Sequence, residues 1–287
     1  VLVGDNWVKV LKEKVQEYSD RSERDVVLSG IATFVTLSRQ GDAYKRSLLR
    51  KGAIELTMKV WEEWSHDEGI MDCTCSLVLS LVLNERISLN SKTYPGIAIL
   101  IRKLANVIHS EHAGGKASAL RALYHISNQR KKAETTGKTA LHDVRNALGN
   151  EVSVRAMLNI IQPEHVTPPV VEAGLALLWK ICLPREDDNT IVLGGSLENI
   201  HSAVSILDRA KTPEVFEAGC GLVANFALVQ AFPPDVAHRV ATRICNLLDD
   251  PEFRTREVAN AAIHTLCNLY ANDFAKPGMV TVGALLP

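Results

Sequence analysis

Apolar residues return along this chain at three- and four-residue steps, within a phrase that itself recurs about every 44 residues. The phrase reads VLSGIATFVTLS from Val27, CTCSLVLSLVLN from Cys73 and ASALRALYHISN from Ala117. It returns as EAGLALLWKICL from Glu172, EAGCGLVANFAL from Glu217 and NAAIHTLCNLYAN from Asn260. Within each copy, sets such as Ala173, Leu177, Ile181 or Ala218, Leu222, Phe226 define one wide apolar helical face. A fixed period of this size predicts a helical solenoid, whose units bury their apolar faces only against their neighbours. Small residues such as Gly174, Gly219, Ala261 and Ala262 would let adjoining helices approach closely. A mid-helix glycine costs about 1 kcal/mol relative to alanine, which close packing would offset.

A second phrase precedes the first in several copies: an amphipathic helix after Gly52, Gly96 and Gly195. One position late in the following helix lies 29 or 30 residues beyond each glycine, which fixes a register. The marked positions are Thr36, Leu81, His125, Lys180, Asn225 and Asn268, with one interval about ten residues longer than the others. The extra length falls in the polar stretch 129–149, QRKKAETTGKTALHDVRNALG, predicted as an insertion that forms a longer loop or an extended first helix.

The stretch from Arg185 to Leu228, with its short helix ending at glycine, second helix, proline turn and long third helix, resembles the armadillo repeat. GDAYKRSLLRKGAIELTMKVWEEW, from Gly41, is similar to the first part of the same unit. The likeness runs from about Arg24 to Pro287, and the related HEAT repeat stays open as an alternative. It implies an all-α fold, a right-handed α-α superhelix of about six repeats, with 1–287 as one solenoid domain expected to be a piece of a longer chain. It also implies that an extended peptide or a partner helix binds in a concave groove lined by third helices.

In peptide-binding members of the family, that groove carries a ladder of asparagines with tryptophans one turn earlier. Asn225 and Asn268 match the ladder; Thr36, Leu81, His125 and Lys180 do not. The positions one turn earlier are Ala32, Leu77, Arg121, Ala176, Gly221 and His264, none of them tryptophan. This departs from the tryptophan and asparagine pairs of nuclear-import peptide recognition. The candidate groove is Arg121, His125, Lys180, Asn225, His264 and Asn268, a polar and somewhat basic set. Its expected ligand is an acidic or polar protein segment or helix, held by pairing with carboxylates or phosphates. Glu172 and Glu217, at the helix starts, complement the helix dipoles and reduce that basic field.

Composition narrows the function classes. Lys and Arg total 32 against 33 Asp and Glu, so no net field draws the chain to nucleic acid or to an anionic membrane. Aromatic residues are 5% of a chain that is 46% hydrophobic, so aliphatic side chains do the packing. The longest apolar run, Leu77 to Leu83, is too short to span a bilayer. All six cysteines fall in apolar helical patterns, which reads as reduced buried thiols in an intracellular protein, cytoplasmic or nuclear.

Chemistry-bearing motifs are sparse. Gly137 to Thr139 spells GKT, but Lys132 stands where a phosphate-binding loop needs its first glycine. Cys73 and Cys75 diverge on a helix and lack a second cysteine pair; His109 and His112 have no further ligands nearby. Arg130, Lys131 and Lys132 read as a solvated loop, and Trp7, Trp61, Trp64 and Trp179 as packing residues. No nucleophile stands beside a base. The reading is therefore a non-enzymatic scaffold or adaptor, without cofactor, metal or small-molecule substrate. One alternative is a structural subunit that contacts its neighbours through the convex face or the insertion. Another, a helical-repeat enzyme acting on nucleic acid, conflicts with the balanced charge.

Overall fold

The computed structural model describes residues 6–20, 23–83, 96–111, 114–128, 140–162, 166–182, 196–229 and 232–271. Among them every regular element is helical. The chain forms two compact units, Val1–Ala147 and Leu148–Pro287.

The first unit contains α1 (Asn6–Asp20), α2 (Arg24–Ser38), α3 (Asp42–Arg50), α4 (Ala53–Glu63), α5 (Glu68–Val82), α6 (Ile97–His109) and α7 (Lys116–Asn128). Helices α2, α5 and α7 are the third helices of successive repeats and pack side by side, while α1 packs on α2 and α4, and α6 on α7. The periodicity dictates this layering. On α2 the buried residues Val27, Ile31, Phe34 and Ser38 recur at helical spacing and leave Thr33 and Thr36 outward. On α5, by contrast, Leu77 to Val82 is buried all round, as a helix must be when neighbours flank it on both sides.

A cap fixes where α5 begins. The Asp67 carboxylate accepts the backbone N–H of Ile70 at 2.9 Å and also the Arg24 guanidinium of α2, so one side chain sets the helix start and ties two repeats. The Arg24 hydrogen bond first, then the Ile70 N–H, hold that carboxyl below its ordinary range. Trp61 and Trp64 of the α4 segment are buried, and the Trp64 indole N–H donates to Ser19 Oγ on α1 at 2.9 Å. Both therefore pack between helices.

The second unit contains α9 (Glu151–Ile160), α10 (Pro168–Ile181), α11 (Leu197–Asp208), α12 (Pro213–Val229), α13 (Pro234–Leu248), a 3-10 turn at Pro251–Phe253 and α14 (Arg256–Ala271). Third helices α10, α12 and α14 form one layer; second helices α9, α11 and α13 form the other. Prolines open α10, α12 and α13, where a missing N–H costs nothing. From Val215 to Ala227, α12 is buried except at Glu217, because α10, α11 and α14 surround it.

Of the stretch 129–149, residues 129–139 lie outside the described part. Residues Ala140–Leu148 form a helix, α8, of the same nine-residue length as α3 and placed just ahead of α9 as α3 is ahead of α4. In the last repeat only four residues separate α12 from α13, too few for a comparable first helix. That repeat is thus a two-helix unit.

The cysteines divide by burial. All six are free thiols; Cys75, Cys182 and Cys220 are buried, Cys73 and Cys245 half-buried, and Cys267 exposed. The expectation of uniformly buried thiols is corrected at Cys267, which sits on the outer face of α14. Burial pushes the Cys75 thiol far up and that of Cys220 up to about 12, so both stay protonated. No described helix is long and apolar enough to cross a membrane.

Candidate partner-binding face

The marked positions meet their structural test at the helix caps. The first turns of α12 and α14 are closed by Thr212 and Thr255, whose hydroxyls accept the N–H of Val215 at 3.3 Å and of Val258 at 3.2 Å. Thr167 occupies the same place ahead of α10. Lys180, Asn225 and Asn268 lie at one common distance beyond these caps, so the three helices present them in register. In the first unit, Thr36 stands at that distance from Glu23, the cap position of α2. Counting from Asp67, however, reaches Ser80 rather than Leu81. Leu81 is fully buried and belongs to the core, a one-residue slip that the spacing of phrases conceals.

The two ladder asparagines bond the protein itself. Asn225 Nδ2 donates to the Trp179 carbonyl at 2.8 Å, and Asn268 Nδ2 to the Ala224 carbonyl at 3.0 Å. Each acceptor immediately precedes the register position of the previous third helix. Trp179 lies in the last turn of α10, where carbonyls lack an intrahelical partner, so Asn225 supplies the missing donor. Asn225 is only 4% exposed, whereas Asn268 is half-buried. The Thr265 hydroxyl adds a third link, 2.9 Å from the Cys220 carbonyl and 2.8 Å from its own Ala261 carbonyl.

Asn225→Asp exchanges the donor for a carboxylate facing a carbonyl oxygen. It should destabilise the chain by about 1–3 kcal/mol in urea unfolding. Asn225→Gln or Asn225→Ser should cost less.

Tryptophan is absent one turn before Asn225, yet the space there is filled by one. A Cβ on Gly221 would stand 2.4 Å from the Trp179 ring, so the indole of α10 lies directly on the α12 backbone. The sequence signal for this contact was the glycine, a weak helix former in mid-helix.

Lys180 is half-buried, and desolvation lowers its pKa. His264 is exposed on α14. At the opposite ends of these helices, Glu172, Glu214, Glu217 and Glu257 bring four carboxylates together. Burial chiefly, then Glu257, Glu214 and Glu172, raise the pKa of Glu217. The face is therefore acidic at the helix starts and polar to basic toward their ends; the sequence pattern points to Glu172 and Glu217 but not to Glu214 or Glu257.

A carboxyl whose folded pKa lies above its unfolded value stabilises most below the unfolded pKa, and that contribution fades as pH rises through the folded one. Glu217→Gln should accordingly raise the thermal midpoint at pH 7, and the gain over wild type should vanish toward pH 4. Parallel melts of the two proteins across that range provide the check.

In the first unit, the row is held by hydroxyls. Ser38 Oγ meets Ser80 Oγ, and Ser76 Oγ meets Ser118 Oγ at 3.2 Å, joining α2 to α5 and α5 to α7. Thr36 turns its hydroxyl back to the Ala32 carbonyl at 3.0 Å. Arg121 and His125 are half-buried on α7, the imidazole edge-on to Tyr124 at 5.2 Å between ring centroids. Four of the six candidate residues, Lys180, Asn225, His264 and Asn268, thus share the second unit, and Arg121 and His125 share one helix of the first. Among the described residues, no group of three or more His, Cys, Asp or Glu side chains is arranged to hold a metal ion.

No family model matches the sequence, and no curated protein matches it. Solved structures do. A designed armadillo repeat protein in complex with the peptide (KR)4 is 13% identical, with a TM-score of 0.55 over 90% of this chain and 98% of that one. A computationally designed armadillo repeat protein for modular peptide recognition is 12% identical, with a TM-score of 0.60 over 89% and 99%. An engineered protein is 16% identical at a TM-score of 0.64; the match spans 96% of this chain and 61% of that protein. The fold is the armadillo-type helical repeat.

Proposed function

We propose that this armadillo-type chain is a non-enzymatic protein-binding scaffold or adaptor of the cell interior, with 1–287 acting as one repeat array. Its third-helix face in the second unit takes an extended acidic or polar segment of another protein. The observation that carries this reading is the shared register of Lys180, Asn225 and Asn268 on three adjacent helices, with His264 one turn before Asn268.

Asn225 pins α12 to α10 and thereby holds the row in place. Asn268, with its Nδ2 donating to Ala224, keeps its side-chain oxygen toward a ligand N–H. Lys180 attracts carboxylates, and the His264 ring of the same face is a hydrogen-bonding group. Burial lowers the Lys180 pKa, and an anion seated beside it would favour the charged form. The carboxylates of Glu172, Glu217 and Glu257 face the other edge of the same segment. They select for a neutral or basic residue there, so the ligand is acidic on one side only. Arg121 and His125 offer a similar pairing on α7 of the first unit. The designed relatives of the fold, by their names, recognise peptides, one of them the basic (KR)4; this chain's mixed face calls for a different sequence.

A random peptide library displayed on phage and selected on the chain tests the reading. Selected peptides should be rich in Asp and Glu and should bind about tenfold more weakly to Lys180→Glu. Affinity should also fall as salt is raised from about 0.1 to 0.5 M, because partly exposed pairs are screened. Peptides without acidic residues, or equal affinity for wild type and Lys180→Glu, would overturn the acidic-segment reading.

A further inference from the structure

The first unit carries a concentration of charge apart from its third helices. The thirteen residues from Arg39 to Lys51 hold five cations, Arg39, Lys45, Arg46, Arg50 and Lys51, against one carboxylate, Asp42. They occupy the end of α2, the whole of α3 and the corner before α4. Helix α3 buries Leu48 and turns its other side outward, so that Arg39, Arg46 and Arg50 are exposed and Lys45 and Lys51 half-buried. The corner is tied down by Lys12 of α1, which donates to the Lys51 carbonyl at 3.2 Å.

These cations lack the partners that others in the unit have. Lys9 pairs with Glu13, Arg24 with Asp67, Lys59 with Glu63 and Lys103 with Glu62. Among the described residues none of the five forms a salt bridge, and the Arg50 Nε–H turns back to the Arg46 carbonyl at 3.3 Å. Helix dipoles account for Arg39 and Arg50, which stand at the ends of α2 and α3, but not for Lys45 and Arg46 in mid-helix. Arg46 and Arg50 lie four residues apart on one helical face, a like-charge pair that costs α3 stability until an anion sits across it.

We propose that this patch docks a short acidic segment of another protein, two of whose carboxylates pair with Arg46 and Arg50. Spacing supports the match: four residues of helix rise about 6 Å, and side chains on one edge of an extended segment recur about every 6.6 Å. Each guanidinium presents a planar fork of N–H donors that fits one carboxylate. Lys45 and Lys51 flank the pair, and Arg39 extends the patch past the start of α3. Extended polyanions fit less well. Nine residues make α3 about 13 Å long, while the adjoining α1 and α4 expose Glu13, Glu55 and Glu62. A nucleic-acid backbone or a bilayer surface reaches well beyond α3 and would meet those carboxylates. A bilayer also finds no wedge, since no large apolar side chain is exposed between Val26 and Leu83. The patch makes no use of Lys180, Asn225, His264 or Asn268.

Fluorescence anisotropy decides the matter, with the full chain titrated into labelled probes at about 0.05 M salt. The chain carries Lys180→Glu throughout, which takes the cation from the third-helix face, so the two surfaces can fail independently. The probes are an alternating Glu-Ser peptide, an oligothymidylate of matched charge and phosphatidylserine vesicles. The peptide should bind saturably. Adding Arg46→Glu and Arg50→Glu should weaken it about tenfold or more, while the thermal midpoint holds because both side chains are exposed. Arg46→Lys with Arg50→Lys keeps the charge but loses the fork, and should give a smaller loss. Absence of saturable peptide binding would overturn the proposal, as would equal affinity after charge reversal. Tighter binding of the oligothymidylate or the vesicles than of the peptide would overturn the acidic segment as the partner.

Discussion

Gly115→Val should cost about 2–4 kcal/mol in urea unfolding, placing it among the most damaging single changes in the first unit. Gly115 has φ of +80°, a conformation that a β-branched residue adopts only under strain. Its Cβ would also stand 3.0 Å from Cys75 Sγ, 3.2 Å from the Met71 carbonyl and 3.3 Å from Cys75 Cβ. Cys75 is fully buried on α5 and has no room to withdraw. Two costs therefore add: backbone strain at the entry to α7 and a forced separation of α5 from α7. Cys75→Ala in the same background removes the sulfur and should recover part of the loss, whereas the strain at φ remains. Should Gly115→Val unfold at the wild-type denaturant concentration, the close approach of these two helices is wrong.

Gly221→Ala should destabilise the second unit by about 1–3 kcal/mol, although alanine is the better helix former by about 1 kcal/mol. The sign is decided by the Trp179 ring, whose nearest atoms would lie 2.4 Å from the new methyl. The indole can relieve the overlap only by swinging off α12, and that movement disturbs the helix turn whose carbonyl Asn225 caps. Trp179→Ala on its own loses the ring contact. Added to Gly221→Ala, it should turn the methyl from harmful to neutral or helpful. A double-mutant cycle measured by chemical denaturation should thus give a coupling of about 1 kcal/mol or more. Strictly additive effects would mean that the ring does not rest on Gly221.

These two glycines show where the sequence is legible and where it stops. The third helices are readable because each buries a wide face, and the three-to-four spacing of Val27, Ile31 and Phe34 has no other economical interpretation. The repeat length follows from the same cause, since a unit that packs only on its neighbours must repeat its contacts. The fine register is less visible. On α5 both Ser80 and Leu81 are buried and both fit a phrase-to-phrase alignment, and only the cap at Asp67 shows that Ser80 shares the register of Thr36. The roles of the asparagines were hidden for a different reason. An amide is equally suited to a ligand backbone and to the carbonyl of the next helix, and no pattern in one dimension distinguishes the two. Trp179 looked solitary because its counterpart is a glycine, a residue that announces a contact by lacking a side chain. The surroundings of α13 have no signature in one dimension, because Arg239 and Arg243 meet Asp208 and the Ala210 carbonyl only once the end of α11 is placed across from them.

The links between third helices share one property with a wider consequence. Asn225 to Trp179, Asn268 to Ala224, Thr265 to Cys220, Ser38 to Ser80 and Ser76 to Ser118 all reach one repeat along the chain and no further. Cohesion of this kind is passed hand to hand, so damage fades with distance along the sequence instead of felling the whole domain at once. Amide exchange should then show repeats opening one after another rather than together, and a lesion in one repeat would leave its more distant neighbours protected. Such a chain gains or sheds repeats during evolution at the cost of one seam, which makes its length, and with it the length of segment it can hold, an adjustable quantity.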